Sequence, residues 1–331
     1  MKKKIYWINY LKILACFLVI LLHSISLGLG DNTYKSGLFI YYFGVFAVPL
    51  FFMINGYLKI DRNYTYSDII KKNLRILMIM FFWNFVILLI ELILKKNYSG
   101  LFYNVFINFF QKGKFPHFWF LGSLIIINFF LPLLKKIYNS KKFNIYIIIS
   151  ILICFIINLF TIVIYRNYSF NFRSFIPQVF RIWTWFLYFL LGGYVKKHDC
   201  KIEKKKIAYL ILFVLVMIGI SVTYQSIFFI KFYGNLYAES FYDSIIIIFT
   251  TFLIFVLFKN IDIKNEFLSN FSELTSGIYI IHLLILKFVL KILNFNNNYY
   301  RVIDLIITFI ISSLIVFFIN KIPFLKKFTK F

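Results

Sequence analysis

Acidic residues are scarce in this chain. Twelve aspartates and glutamates stand against 37 lysines and arginines, giving a formal net charge of +25. So few carboxylates form no pair at metal-ligand spacing, and the histidines are scattered over separate segments, so no metal site is expected. Cysteine is equally sparse: Cys16 and Cys154 lie in long apolar runs and Cys200 in a basic loop, so a disulfide framework has no support. A Gly-rich phosphate loop, a nucleophile elbow and a Ser-x-x-Lys pattern are all missing, which removes the common P-loop and serine-nucleophile enzymes. No internal repeat points to an inverted-repeat transporter. The first apolar run ends without a small-residue cleavage site, and its Ile13-Leu-Ala-Cys16 stretch puts the cysteine too early for a lipoprotein signal. That run is expected to be a retained anchor.

What the chain has in abundance is apolar sequence. It is 62% hydrophobic and 23% aromatic, with a mean hydropathy of +0.84, far outside the range of soluble domains. Ten apolar runs approach the ~20 residues that a bilayer requires: 7–29, 38–58, 75–94, 118–134, 143–164, 179–195, 207–225, 241–258, 275–293 and 302–320. The expected fold is an all-α integral membrane bundle of about ten helices. Residues 1–331 form one membrane domain without a separate soluble one. With the N-terminus inside, the inner segments carry 24 of the 37 basic residues and the outer segments 12, with Lys12 inside the first helix. Two to one is the positive-inside bias, so both termini are expected in the cytoplasm, the chain in the cytoplasmic membrane among its lipids, and nucleic acid is not a partner. Oligomeric state is not legible.

Two polar residues interrupt the first run. Lys12 and His23 are eleven positions apart, about three helical turns, so they share one face at an axial separation of roughly 16 Å. Polar groups in hydrocarbon are costly unless they face a cavity or a partner. A near-neutral imidazole suits general acid–base work, though a packed histidine bonded to a neighbouring helix has the same signature. Lys12 either contacts an anionic ligand or snorkels to the inner headgroups. Lys71, Lys72 and Arg75 lie on the same inner rim, which suits phosphates. The outer helix ends collect Glu91, His117, Arg166, Arg173, Arg181, Glu239, Asp243, Arg301 and Asp304 with Trp119, Trp183 and Trp185. Carboxylates, arginines and flat rings fit a sugar-binding mouth, and interfacial anchoring accounts for the aromatics equally well. Arg181 and Asp243 each begin a helix at membrane depth. Tyr279 and His282 share a face, either lining the same cavity or bonding a neighbouring helix.

Lys12-x10-His23 resembles the Arg/Lys-x10-His signature of the membrane acyltransferase-3 family. Four further stretches are similar to family segments in type and order. Leu50-Phe-Phe-Met-Ile-Asn-Gly-Tyr57 carries Asn55 where the family commonly has serine, and Lys71-Lys-Asn-Leu-Arg75 matches the basic run of helix 3. His117-Phe-Trp119-Phe-Leu with Leu131-Pro132, and Ser276-Gly-Ile-Tyr279-Ile-Ile-His282, complete the set.

The resemblance implies a membrane-bound O-acyltransferase. Such an enzyme moves an acyl group, commonly acetyl from cytoplasmic acetyl-CoA, to a hydroxyl of an extracytoplasmic or lipid-linked glycan. It implies His23 as general base or transient acyl carrier, with Lys12 as its basic companion. Lys71, Lys72 and Arg75 then serve the donor; Trp119, Arg181, Asp243 and His117 serve the acceptor; Asn55, Tyr279 and His282 line the cavity. Acyl-CoA is a substrate, and no tightly bound cofactor is expected. Family members acting on peptidoglycan often carry a soluble domain, so surface polysaccharide or a lipid-linked precursor is the expected acceptor. The alternative is a transporter or flippase for a lipid-linked or anionic solute, using the same polar stripe without chemistry.

Overall fold

The structure is a computed structural model that describes residues 4–26, 38–95, 100–170, 175–232, 237–293 and 298–331. Among the described residues every regular element is helical. Helix α1 spans Tyr6–Ser26, α2 Leu38–Phe43, α3 Ala47–Lys59, α4 Tyr66–Ile93 and α5 Leu101–Asn108. They are followed by α6 Trp119–Phe129, α7 Leu131–Asn139, α8 Phe143–Tyr168, α9 Ile182–Lys197 and α10 Lys204–Phe232. Helices α11 Ile245–Lys259, α12 Glu266–Phe271, α13 Thr275–Leu293, α14 Asn298–Ile319 and α15 Pro323–Lys326 complete the chain.

Seven helical stretches are long and apolar enough to cross a membrane, and eight if α6 and α7 count as one bent span. Each of the ten expected runs holds helix. Two of them, α9 with 16 residues and α11 with 15, fall short of the ~20 that hydrocarbon requires. The run expected to begin at 75 starts earlier, at Tyr66, because Thr65 and Asp68 form a capping box that satisfies the exposed first turn. The expected 118–134 run is bent by 60°. Pro132 lies in the first turn of α7, where it lacks an N–H and its ring crowds the preceding turn. Residues 27–29 of the first expected run lie outside the described residues.

Helix α3 is the hub, flanked by α1 on one side and packed most extensively against α9 on the other. Two glycines permit that approach. A Cβ on Gly56 would overlap the Phe189 carbonyl, and one on Gly192 would overlap the Met53 carbonyl. Small residues that let two backbones meet are the usual glue of membrane helices, because lipid tails supply no hydrophobic drive between them. Phe52 stacks on Trp185 beside this crossing, with ring centroids 4.6 Å apart. Helices α13 and α14 close against the other side of α1, so α1 is wrapped by neighbours. By contrast, α8 and α10 turn rows of isoleucine, leucine and phenylalanine outward.

The glycine crossing yields a direct expectation. Gly56→Ala and Gly192→Ala force the helices apart, an overpacking cost of at least about 1–3 kcal/mol. Thermal unfolding in detergent should show a lower midpoint or no folded protein. Gly219→Ala on α10, with open space around its Cβ, should be neutral or stabilising.

Candidate active site

His23 on α1 meets two other imidazoles. Ring centroids are 5.3 Å from His23 to His282 on α13, 6.3 Å from His23 to His117, and 4.8 Å between His117 and His282. Three of the four histidines, remote in sequence, therefore form one cluster. His117 and His282 are buried and His23 is partly so.

Backbone carbonyls fix the two buried rings. His282 donates from Nδ1 to the Tyr279 carbonyl at 2.6 Å, and His117 donates from Nε2 to the Ile280 carbonyl at 3.1 Å. A carbonyl can only accept, so each of these nitrogens carries the hydrogen, and in the neutral ring the other nitrogen is a lone-pair acceptor. Those other nitrogens, His282 Nε2 and His117 Nδ1, are buried without a partner among the described residues. The cluster thus holds two acceptors whose complement is an O–H or N–H donor.

The segment carrying His117 is anchored from α4. Asn84 and Asn108 are hydrogen-bonded at 3.1 Å, and Asn108 Oδ1 accepts the Phe115 N–H at 3.0 Å. The tight turn between them needs Gly113, whose φ of +80° and contact with Asn108 leave no room for a side chain. The Tyr279 hydroxyl closes the arrangement by donating to the His117 carbonyl.

Tyr279 also borders a second compartment. A pocket of about 170 Å³ is lined by Lys12, Asn55, Lys59, Tyr279, Phe51, Phe120 and Phe331, among others. Two lysines and an amide give it hydrogen-bond donors of the kind that an anionic group accepts. Lys59 was not among the expected donor residues. It ends a helix, where a lysine reads as an ordinary inner-rim charge, and nothing in the sequence marks its return toward Lys12. The expected donor set divides differently: Lys71 is exposed, and Lys72 sits over the Tyr64 ring at 4.0 Å. Arg75 donates from Nε to the Lys330 carbonyl at 3.1 Å. None of these three lines the pocket. The tail around them is held by Phe328, which stacks on Phe82 at 3.9 Å and accepts the Trp83 indole N–H at 2.9 Å.

A cleft of about 630 Å³ lies among the segments that follow α5 and precede α9 and α11. Gln111, Gln178, Arg181 and Glu239 furnish its polar groups, and Phe106, Phe110, Phe175 and Tyr237 its flat faces. Gln111 donates to Glu239 Oε2 at 2.9 Å, while Gln178 and Arg181 donate to the Glu239 carbonyl at 3.2 and 3.4 Å. Burial pushes the Glu239 carboxyl above the usual range, opposed by the Gln111 hydrogen bond and the Arg181 charge. Of the outer polar residues expected at the acceptor mouth, Arg181 and Glu239 line this cleft. His117 belongs to the imidazole cluster, Trp119 packs on Trp185 at 5.3 Å, and Asp243 accepts from the Trp183 indole at 3.4 Å. Glu91 pairs with Lys114, Arg166 is exposed, and Arg173 lies outside the described residues. Among the described residues, no three His, Cys, Asp or Glu side chains are placed to hold a metal ion together.

A family model described as an acyltransferase domain matches residues 5–320, nearly the whole chain. No curated protein and no solved structure matches.

The raised Glu239 carboxyl makes stability depend on pH. A carboxyl whose folded value exceeds its unfolded one stabilises the fold fully below the ordinary glutamate value of about 4.3. That contribution is lost as pH rises through the folded value. Thermal midpoints of wild type and Glu239→Gln should therefore diverge with pH. The variant should gain relative to wild type on going from about pH 4 to about pH 8, and parallel curves would contradict the assignment.

Proposed function

The chain belongs to the acyltransferase-3 family, and from that membership we propose that it is a multi-pass membrane O-acyltransferase. It moves an acyl group, commonly acetyl from acetyl-CoA, to a hydroxyl of an extracytoplasmic or lipid-linked glycan. The observation that carries this reading is the imidazole cluster on one side of Tyr279 with the two-lysine pocket on the other.

The donor phosphates are assigned to the Lys12 and Lys59 pocket, with the basic rim of Lys71, Lys72 and Arg75 around it. A lysine offers a point charge without the bidentate fork of arginine, and a second lysine makes up part of the difference. Asn55 stands where the family commonly has serine. Its amide donates to the Phe51 carbonyl at 2.9 Å and the residue lines the pocket, so in this reading it helps to orient the donor and does not react with it.

His23 takes the proton from the acceptor hydroxyl as that oxygen forms its bond to the thioester carbon. The carbon–sulfur bond then breaks, and the proton returns to the leaving thiolate. In the covalent variant of this path His23 first carries the acyl group and the thiol leaves before the acceptor arrives. His282 Nε2 and His117 Nδ1 can accept hydrogen bonds only while neutral, so their role is to hold O–H groups of the incoming hydroxyl or an attendant water. The cleft of Glu239, Arg181 and phenylalanine faces serves the saccharide: carboxylate and amides for hydroxyls, rings for the apolar faces of a sugar. In this reading α9 and α11 complete ten traverses. The Lys12 end then faces the cytoplasm and the cleft faces the other side of the cytoplasmic membrane.

Acetyl-CoA turnover by the purified protein in detergent, with and without a mixed glycan pool, tests the proposal. His23→Ala should lower turnover by about 10²–10⁴-fold. Wild-type protein that is folded yet neither binds nor consumes acetyl-CoA would sink the proposal and favour a solute carrier. Exchange of labelled CoA into acetyl-CoA without acceptor separates the covalent path from direct transfer. In the same assay Lys12→Met should raise the KM for acetyl-CoA, with Lys12→Arg close to wild type; an unchanged KM in Lys12→Met would detach that lysine from the donor.

A further inference from the structure

Helix α14 carries a second polar feature that the transfer reaction leaves unused. Asp304, Thr308 and Ser312 are each fully buried. Their positions, together with Arg301, fall within an arc of about 80° on a helical wheel. The opposite face of α14 presents Ile303, Ile306, Ile310 and Leu314 outward, so the polar arc is turned into the bundle, toward α1 and α13, the helices against which α14 packs. Both carboxylate oxygens of Asp304, the Thr308 and Ser312 hydroxyls and Arg301 Nε have no hydrogen-bond partner among the described residues. Hydroxyls on a helix commonly bond to a carbonyl one turn back, as Ser313 does with Phe309 at 2.6 Å. Thr308 and Ser312 do not.

Two contacts set the register of the arc. Arg301 Nη1 donates to the Ser24 carbonyl at 3.2 Å, and the Phe17 and Phe309 rings are 5.5 Å apart. The helices therefore run in opposite directions, and Asp304 to Ser312 lie alongside the part of α1 between His23 and Lys12. Rises of about 6 Å separate successive members of the arc, a gap that one or two water molecules span. Buried orphan groups in series, each needing two to four partners, are the pattern that internal water satisfies. Ionisable residues within a membrane span mark proton relays and ion or substrate paths, and Asp304 lies within the span Arg301–Ile319. Of the charged and titratable groups on the packed elements, α1 carries Tyr6, Tyr10, Lys12, Cys16 and His23; α13 carries Tyr279, His282, Lys287 and Lys291; Glu273 precedes α13. None of them is bonded to Asp304, and the field that reaches it is that of Arg301.

We propose that Asp304, Thr308 and Ser312 line a hydrated seam between α14, α1 and α13, in which Asp304 takes up and releases protons. Uptake moves a proton from hydronium in the seam to a carboxylate oxygen and leaves water, and release returns it to a water molecule there; no other reactant is needed. The seam is independent of the acyl-transfer reading.

Two measurements on the full chain in detergent test it. Dicyclohexylcarbodiimide modifies protonated carboxyls in apolar surroundings, and peptide mass spectrometry locates the adduct. Asp304 should be labelled, the label should fall as pH is raised, and Asp304→Asn should lose it. An unlabelled Asp304, or protection by sodium ions at fixed pH, would overturn the proton assignment, the latter in favour of a metal-cation site. Hydration is read separately with a small charged methanethiosulfonate, using the native cysteines as background. Ser312→Cys should react several-fold faster than Val316→Cys, one turn further along where the side chain packs against Gly277. Equal rates would mean a dry seam and overturn the proposal.

Discussion

Two carbonyl oxygens on one turn of α13 hold the centre of this molecule together. Those of Tyr279 and Ile280 each accept an imidazole N–H. In a medium without water an imidazole must place its hydrogen somewhere, and a helical carbonyl has a second lone pair to offer. That choice settles which nitrogen of each ring keeps a lone pair to accept with. It also ties the segment before α6 to α13, the same segment that the Asn84–Asn108 contact anchors from α4. A different constraint sets the glycine crossing of α3 and α9, where backbones pack closely because no side chain intervenes.

Around that centre the molecule is divided by polarity. The lysine pocket, the imidazole cluster and the cleft of Glu239 lie in succession between helices, while α8 and α10 turn apolar side chains outward. Residues 5–320, which match an acyltransferase family, carry the polar side chains of all three of these compartments.

Much of this was legible in the linear chain, and for physical reasons. Apolar runs are long because hydrocarbon is thick, so each of the ten runs holds helix. The eleven-residue spacing of Lys12 and His23 follows from helical geometry, and both side chains do face interior compartments. What was not legible shares a cause: sequence order carries no information about which helix faces which. The sequence places His117 among the outer helix ends, and only the fold sets it beside His23 and His282. Lys59 was passed over as a rim charge, although α3 delivers it to the side of Lys12. Arg75, counted with the donor, is held by the Lys330 carbonyl, a contact between residues at opposite ends of the chain. Helix ends at Thr65 and Pro132 were misjudged because caps and kinks are local chemistry that hydropathy averages away.

Tyr279 stands in both compartments at once. Its ring borders the lysine pocket and its hydroxyl grips the strand of backbone that bears His117. A guest large enough to displace the ring would have to break the hydroxyl's bond to the His117 carbonyl or carry that backbone with it. The depth of the lysine pocket is thus bounded by a group that also positions an imidazole.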